Sequence, residues 1–217
     1  MIRIENLSKN YAKFKVFENF NLNIERNKTT CILGESGSGK TTLLNVMSNL
    51  TDYQGKVDKI QCSYVFQTPN LFPNLTALQN LSLVCENSEN IQKLCSSLGI
   101  YEKLNEYPSR LSGGQAQRVA LARGVLFQSE VLLMDEPFSS LDLKVKMQAM
   151  QTLKSEFAKT NRTVVMVTHD IREAVTMADR IILLSKGKIV GDISKINENT
   201  EKQLFGILTQ DLIEKTN

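Results

Sequence analysis

The sequence is short of the residues that mark several protein classes. It has no tryptophan, one histidine and four prolines in 217 residues, and only 6% of its residues are aromatic. No apolar run approaches the roughly 20 residues that span a bilayer. The stretch Met1–Leu7 alternates charged and apolar residues and has no signal-peptide core. We therefore expect a globular chain without a spanning helix.

Cysteine and net charge are also too modest to define a function. The four cysteines, Cys31, Cys62, Cys85 and Cys95, show no C-x-x-C spacing, so they indicate neither a zinc site nor a redox pair. We expect reduced thiols in a cytosolic protein. The net charge of +3 is too small for the basic surface of a nucleic-acid-binding protein, and we expect no nucleic-acid partner.

One stretch, in contrast, is rich in glycine. Gly34–Thr41 reads Gly-Glu-Ser-Gly-Ser-Gly-Lys-Thr and fits G-x-x-x-x-G-K-[ST], the phosphate-binding loop of nucleotide hydrolases. Lys40 is expected to reach the β- and γ-phosphates, and the Thr41 hydroxyl to bind Mg²⁺. A helix beginning at Gly39 or Lys40 would direct its positive end at the phosphates. The predicted phosphate-binding residues are Gly34, Glu35, Ser36, Gly37, Ser38, Gly39, Lys40, Thr41 and Thr42.

Short apolar runs alternate with helical patterns along the chain. Strands are predicted at Thr30–Leu33, Ser63–Phe66, Val131–Met134, Thr163–Val167 and Arg180–Leu184, and a last helix from Glu201 to about Lys215. This alternation predicts an α/β fold, a phosphate-loop hydrolase core with a mainly parallel sheet. We expect one domain over 1–217, with an inserted helical subdomain at about 76–128.

The N-terminal region predicts a separate, antiparallel β portion. Ile2–Leu7 and Phe20–Ile24 are the expected strands, joined by a polar stretch that holds Tyr11 and Phe14. Tyr11 would then lie in a connection that can fold back over a nucleotide and stack on adenine. A lone exposed tyrosine is also a common surface residue.

Three polar residues follow predicted strands at the edge where open α/β sheets bind ligands. Asp135 and Glu136 come directly after Val131–Met134, and His169 follows Thr163–Val167. Asp135 is the expected Mg²⁺ carboxylate, and Glu136 is placed to activate a water molecule that attacks the γ-phosphorus. His169 could donate a hydrogen bond to the γ-phosphate, although a lone histidine is more often structural.

A further motif, Leu-Ser-Gly-Gly-Gln-Ala-Gln-Arg, covers Leu111–Arg118. Ser112 is a good helix N-cap, and Gly113 and Gly114 would permit close approach of another molecule. Together with the phosphate loop, Gln67, Val131–Pro137, Ser140–Asp142 and His169, this motif resembles the ATP-binding subunit of ABC transporters, in the order found in that family.

The resemblance implies roles for residues that their spacing alone does not explain. Tyr11 would stack on adenine, and Gln67 would link Mg²⁺ and the attacking water to a membrane subunit. The N-terminal residues of the helix after Leu111 would face the γ-phosphate of an ATP held by a second copy of the chain, or by a homologous subunit. These residues are Ser112, Gly113, Gly114 and Gln115.

The function implied is ATP hydrolysis with Mg²⁺ at a dimer interface, which powers solute import through a transmembrane permease. A solute-binding protein and a location at the cytoplasmic face of the cell membrane belong to the same expectation. Asp-Glu-Pro-Phe at 135–138 and Thr-His-Asp-Ile-Arg-Glu-Ala at 168–174 are similar to the nitrate, sulfonate and taurine importers.

Other functions remain open from the sequence. An ABC exporter or lipoprotein-release system would use the same machinery, and a soluble ABC-type ATPase could act on nucleic acid or ribosomes. A phosphate-loop kinase would leave Ser112–Gln115 and His169 unexplained.

The loop at 68–76 contains two prolines. Leu71 and Phe72 lie between them, and Leu75 follows the second. The loop is interpreted equally well as a docking surface for the permease and as a loop folded onto its own domain.

Overall fold

The computed structural model describes residues 1–12 and 14–214. The described residues fall into two compact units, one within Met1–Ile60 and Arg162–Asn217 and the other within Gln61–Asn161. The strands are β1 (Ile2–Tyr11), β2 (Phe14–Ile24), β3 (Thr29–Leu33), β4 (Gln54–Val57), β5 (Cys62–Val65), β6 (Val131–Asp135), β7 (Thr163–Thr168), β8 (Arg180–Ser185) and β9 (Lys188–Ile193). The helices are α1 (Lys40–Met47), α2 (Ala77–Ser82), α3 (Ser88–Ser97), α4 (Gly113–Leu126), α5 (Leu143–Thr160), α6 (Ile171–Met177) and α7 (Thr200–Glu214).

The first unit contains two kinds of strand pairing. Strands β2, β1 and β4 form an antiparallel sheet in that order. Strand β3 lies between β7 and β8 and pairs with both in parallel, while β9 adds an antiparallel edge to β8. Every residue of β3 and β7 is buried, as expected for parallel strands that read as continuous apolar runs. The predicted mainly parallel sheet and antiparallel N-terminal portion are confirmed.

The second unit combines the parallel pair β5–β6 with four helices. Helix α4 packs against α2, α3 and β5. Helix α5 begins at Leu143 and is capped by Asp142, whose carboxylate accepts the Val145 N–H at 3.1 Å. The helices predicted between 76 and 128 are present in this unit as α2, α3 and α4.

The predicted connection between the first two strands is wrong. Tyr11 is the last residue of β1, and Phe14 opens β2 as its antiparallel partner. A strand is recognised in a sequence by alternating apolar and polar residues, and this alternation is interrupted in β1. The pairing shifts register at several places along β1, and each bulge moves the following side chains to the other face of the sheet. Strand β4 is not among the predicted strands, because three of its four residues are exposed and leave no apolar pattern in the sequence.

The chain's last predicted helix is present as α7, and Lys215, the end proposed from the sequence, lies outside the described residues. No helix among residues 1–12 and 14–214 combines the length and the hydropathy needed to cross a bilayer.

Gly124 lies where α4 packs against β5. A Cβ built on Gly124 would lie 2.4 Å from Cγ2 of Val65, which is itself 2% exposed. We expect Gly124→Ala to lower the free energy of unfolding by about 1 kcal/mol, because overpacking costs roughly 1–3 kcal/mol and exceeds the roughly 1 kcal/mol gained in helix propensity. Urea denaturation measures this change.

The matched control is Gly206→Ala in α7, where a new Cβ would meet no atom within 4 Å. That variant should be neutral or slightly more stable, since only the unfolded chain loses freedom. Equal urea midpoints for Gly124→Ala and the unaltered chain would contradict the packing argument.

Candidate functional site

The phosphate loop leaves β3 and enters α1 under tight steric control. Gly34 donates its N–H to the Thr168 carbonyl at 3.3 Å, and a Cβ on Gly34 would lie 2.2 Å from the Leu184 carbonyl oxygen. Gly39 has a φ of 107°, a backbone conformation that would be strained in a residue with a side chain. Its α-carbon faces the buried ring of Phe17. Two of the motif glycines are therefore required by the fold as well as by the ligand.

Lys40 is fixed at the start of α1. Its ammonium donates to the Gly34 and Glu35 carbonyls at 2.7 and 2.8 Å, and the residue is 6% exposed. Gly39, the N-cap, offers no side chain to the first helical N–H groups, and the first turn contains no acidic residue. The positive end of the helix is thus uncompensated by a side chain, which suits an anion such as a triphosphate.

His169 shares a cavity with the phosphate loop. The cavity has a volume of about 520 Å³, and its lining includes Glu35, Ser36 and His169 together with Phe205 and Leu208 of α7. The two features that the sequence predicts to contact the phosphates in the first unit are therefore brought together.

Tyr11 is 45% exposed at the end of β1. The Lys9 ammonium lies 4.6 Å from the centre of its ring and is held by a 2.8 Å ion pair with Asp52. The cation lies over one face of the ring.

In the second unit, Asp135 ends β6 and is 4% exposed. The Tyr64 hydroxyl lies 3.5 Å from its Oδ2. Burial raises the pKa of Tyr64, and the neighbouring Asp135 carboxylate raises it further. The phenol therefore keeps its proton and can donate it to the Asp135 carboxylate.

Glu136 adopts a left-handed conformation with φ of 43°. Its carbonyl accepts the Ser139 N–H and hydroxyl at 3.2 and 3.0 Å, and its Oε2 lies 3.4 Å from Nε2 of Gln67. A non-glycine residue held at positive φ costs on the order of 1 kcal/mol or more. The turn therefore aims this carboxylate in a direction that a relaxed backbone would not give.

Ser112 begins α4 through a capping box. Its hydroxyl accepts the Gln115 N–H at 3.3 Å, and the Gln115 side-chain oxygen accepts the Ser112 N–H at 2.9 Å. A hydroxyl that accepts an N–H still has its own proton to donate. Arg118 holds the same helix to the end of α3 through bonds to the Leu98 and Gly99 carbonyls at 2.9 and 3.0 Å, and burial lowers its pKa.

Gln117 is a site residue that the sequence did not reveal. It is fully buried, and its side-chain nitrogen donates to the Phe66 carbonyl at 3.3 Å and the Pro137 carbonyl at 3.2 Å. One amide therefore joins the residue before Gln67 to the residue after Glu136. The only available signal was a polar residue on the face of α4 that also carries Ala120 and Leu121.

The predicted Mg²⁺ residues offer oxygen donors of the kind that this ion prefers. Thr41 places an exposed hydroxyl in the first turn of α1, and Asp135 supplies a carboxylate. Gln67, exposed next to Glu136, supplies an amide. Each unit therefore offers oxygen donors of a kind found in magnesium sites, Thr41 in the first unit and Gln67 and Asp135 in the second.

Comparison with known proteins adds a family to this geometry. Residues 17–139 match a family described as ABC transporter. A probable sulfate/thiosulfate import ATP-binding protein of Chlorella vulgaris is 37% identical over 210 residues, covering 87% of this chain and 89% of the relative. An aliphatic sulfonates import ATP-binding protein of Pseudomonas savastanoi is 35% identical over 197 residues, covering 88% and 74%.

A solved structure agrees with the fold. The dimeric structure of MJ0796, a bacterial ABC transporter cassette, superposes with a TM-score of 0.81 at 32% identity, covering 91% of this chain and 99% of that one. The same cassette has also been solved in a dimeric post-hydrolysis state bound to ADP and Pi, with a TM-score of 0.79.

Proposed function

This chain belongs to the ABC transporter family as an ATP-binding cassette subunit, and we propose that it hydrolyses ATP to drive solute import through a membrane permease. The observation that carries the proposal is the cavity that is lined by both the phosphate loop and His169. The loop leads into α1, whose N-terminus suits a triphosphate. The import names of the relatives support its direction. The whole chain, 1–217, would act as one ATP-binding domain.

We assign the residues as follows. Lys40 and the loop N–H groups bind the β- and γ-phosphates, Tyr11 stacks on adenine, and His169 donates to the γ-phosphate. Glu136 accepts the proton of the attacking water, with Gln67 orienting it. Thr41, Asp135 and Gln67 would hold Mg²⁺, which supplies charge neutralisation at the phosphates when it is bound.

The functional unit in this proposal is a dimer of two such subunits. Ser112, Gly113, Gly114 and Gln115 of one subunit would meet the ATP held by the phosphate loop of the other. Support comes from the capped start of α4, whose N–H groups and Ser112 hydroxyl suit an anion, and from the dimeric state of the MJ0796 cassette. Permease subunits at the cytoplasmic face of the membrane, with a solute-binding protein, complete the proposed assembly.

The experiment that tests import is reconstitution with the permease in vesicles. Solute should accumulate on the side of the membrane that holds this chain and its ATP. Movement of solute toward the opposite side would indicate an exporter, and ATP turnover without any dependence on the permease would favour a soluble ATPase.

The loop at 68–76 is the proposed permease contact. Asn80, fully buried, accepts the Phe72 N–H at 2.8 Å and donates to the Phe72, Leu75 and Thr76 carbonyls. The Phe72 side chain nevertheless remains 55% exposed, with the Arg123 guanidinium 5.9 Å from its ring. A loop held this firmly, with an exposed aromatic ring, suits a preformed docking surface.

We expect Phe72→Asp to reduce recovery of the permease with this chain by at least about tenfold, since a charge would replace a ring in the contact. The variant should still bind ATP, because the loop's hydrogen bonds to Asn80 use only backbone atoms of residue 72. Co-purification from membranes measures the loss.

The control is Leu83→Asp, which places the same charge on a leucine that is 56% exposed outside the loop. Permease recovery that is equal for Phe72→Asp and Leu83→Asp would remove the docking proposal.

A further inference from the structure

The phosphate loop and the turn that carries His169 are tied to one buried carboxylate. We propose that Glu173 is a positioning residue for ATP hydrolysis, which holds His169 in place through the Thr168 hydroxyl. This inference rests on the proposed function of His169 and adds a residue to that site.

The first contact is a short hydrogen bond in the interior. Thr168 Oγ1 donates to Glu173 Oε2 at 2.6 Å, and the two residues are 1% and 3% exposed. The same hydroxyl accepts the Asp170 N–H at 3.0 Å. One threonine side chain therefore joins the end of β7, the first turn of α6 and the peptide that follows His169.

The second contact extends this tie to the phosphate loop. The Thr168 carbonyl accepts the Gly34 N–H at 3.3 Å, and Thr168 is paired with Leu33 in the β3–β7 ladder. On the other side of His169, Asp170 caps α6 by accepting the Arg172 and Glu173 N–H groups at 2.8 and 3.4 Å. The backbone is thus held on both sides of an imidazole that is itself exposed.

The chemistry of Glu173 favours a role beyond packing. Burying a carboxylate inside a protein is unfavourable in free energy unless the carboxylate is hydrogen-bonded. An apolar residue, such as the adjacent Ala174, can be buried without this desolvation penalty. A satisfied polar network contributes rigidity and a single geometry. Here the network fixes Thr168 and Asp170, and His169 is the one residue between them.

Glu173 is also connected to the base of the phosphate loop. It accepts the Thr168 hydroxyl, and the Thr168 carbonyl accepts the Gly34 N–H. A change at Glu173 can therefore alter the residue that contacts the loop as well as the residue that precedes the histidine.

The test uses the fact that His169 is the only histidine in the chain. In protein prepared without a polyhistidine tag, its ring gives the only imidazole signals in a proton–carbon NMR spectrum. In Glu173→Ala we expect this signal to broaden or split and its shift on ATP addition to shrink. We expect kcat for ATP hydrolysis to fall about tenfold while KM stays within about threefold, because a misplaced γ-phosphate donor weakens the transition state more than binding.

Two variants separate positioning from general destabilisation. Glu173→Gln retains an oxygen that can accept the Thr168 hydroxyl, so it should restore kcat to within about threefold of the unaltered chain. Met177→Ala loosens the packing of the same helix at a residue that is 3% exposed. It should lower the melting temperature yet leave the histidine signal and kcat unchanged. If Glu173→Ala fails to fold, Thr168→Val removes the same hydrogen bond at nearly constant volume.

The outcomes are distinct. An unchanged histidine signal and kcat in Glu173→Ala or Thr168→Val would overturn the inference, as would Met177→Ala reproducing both losses. His169→Ala tests the proposed function separately. If His169→Ala loses hydrolysis while Glu173→Ala does not, only the inference fails; if His169→Ala is fully active, its assigned role and the catalytic part of the inference both fail.

Discussion

Glu136→Gln is expected to abolish most ATP hydrolysis while leaving ATP binding intact. Removing a positioned general base typically costs 10²–10⁴ in rate, about 3–5 kcal/mol of barrier. Binding should survive because the substitution leaves the Lys40 ammonium and the start of α1 untouched. The measurements are phosphate release, nucleotide affinity and gel filtration with ATP, which should show a dimer that persists in the variant.

In the environment of Glu136, glutamine is a conservative replacement in size and in backbone contacts. Its carboxylate contacts the Gln67 amide at 3.4 Å, and a glutamine there keeps the size of the side chain and one oxygen. The turn holds residue 136 in its left-handed conformation through Ser139, which contacts only the Glu136 carbonyl. A change of side chain leaves these contacts in place.

The control is Glu102→Gln, which makes the same chemical change at an exposed position of the second unit. It should hydrolyse ATP at the normal rate. A Glu136→Gln variant that hydrolyses ATP within about threefold of the unaltered chain would show that Glu136 is not the base, since loss of a general base changes rates far more than that.

Structural features that depend on neighbouring residues were predictable from the sequence. The phosphate loop, the start of α1 at Lys40, the Ser112 cap and the position of Asp135 at the end of β6 follow from short patterns with a physical cause. Glycine, capping serine and an apolar run before a carboxylate each act within a few residues, so neighbouring sequence contains the information.

Features set by distant parts of the chain were not predictable in this way. Gln117 is a polar residue that is buried where its side-chain nitrogen meets the carbonyls of Phe66 and Pro137, which are distant along the chain. The extension of β1 to Tyr11 depends on its pairing with β2 across register shifts. Sequence pattern reports propensity, and these features arise where tertiary contacts override it.

The shared ATP site makes a second prediction with a large effect. If ATP lies between Lys40 of one subunit and Ser112 of its partner, a Lys40→Ala dimer has both sites broken. A Ser112→Arg dimer also has both broken, because a bulky side chain would block the γ-phosphate. In a mixed dimer, one site receives both lesions and the other is intact. The mixture should therefore recover ATP-dependent dimer closure that neither variant shows alone.

The readout is chemical crosslinking of differently tagged subunits with ATP, with Glu136→Gln added to both chains so that closed dimers persist. A difference of about 1.4 kcal/mol in closure free energy already gives a tenfold difference in crosslinked dimer. Ser112→Arg also removes a helix cap, which costs roughly 1 kcal/mol. The control for that loss is Asn87→Arg, which removes the side-chain cap of α3 by the same kind of substitution.

A site formed within a single chain predicts the opposite result. The lesions would then stay in separate subunits, each subunit of the mixed dimer would contain one broken site, and mixing would give no more crosslinking than the two variants measured separately. Asn87→Arg dimers should close on ATP in either case, so they show whether cap loss alone prevents closure. Absence of rescue, with mixed dimers in the permease complex verified by their two tags, would exclude the shared site and remove the reason for assigning Ser112 to the ATP of a partner subunit.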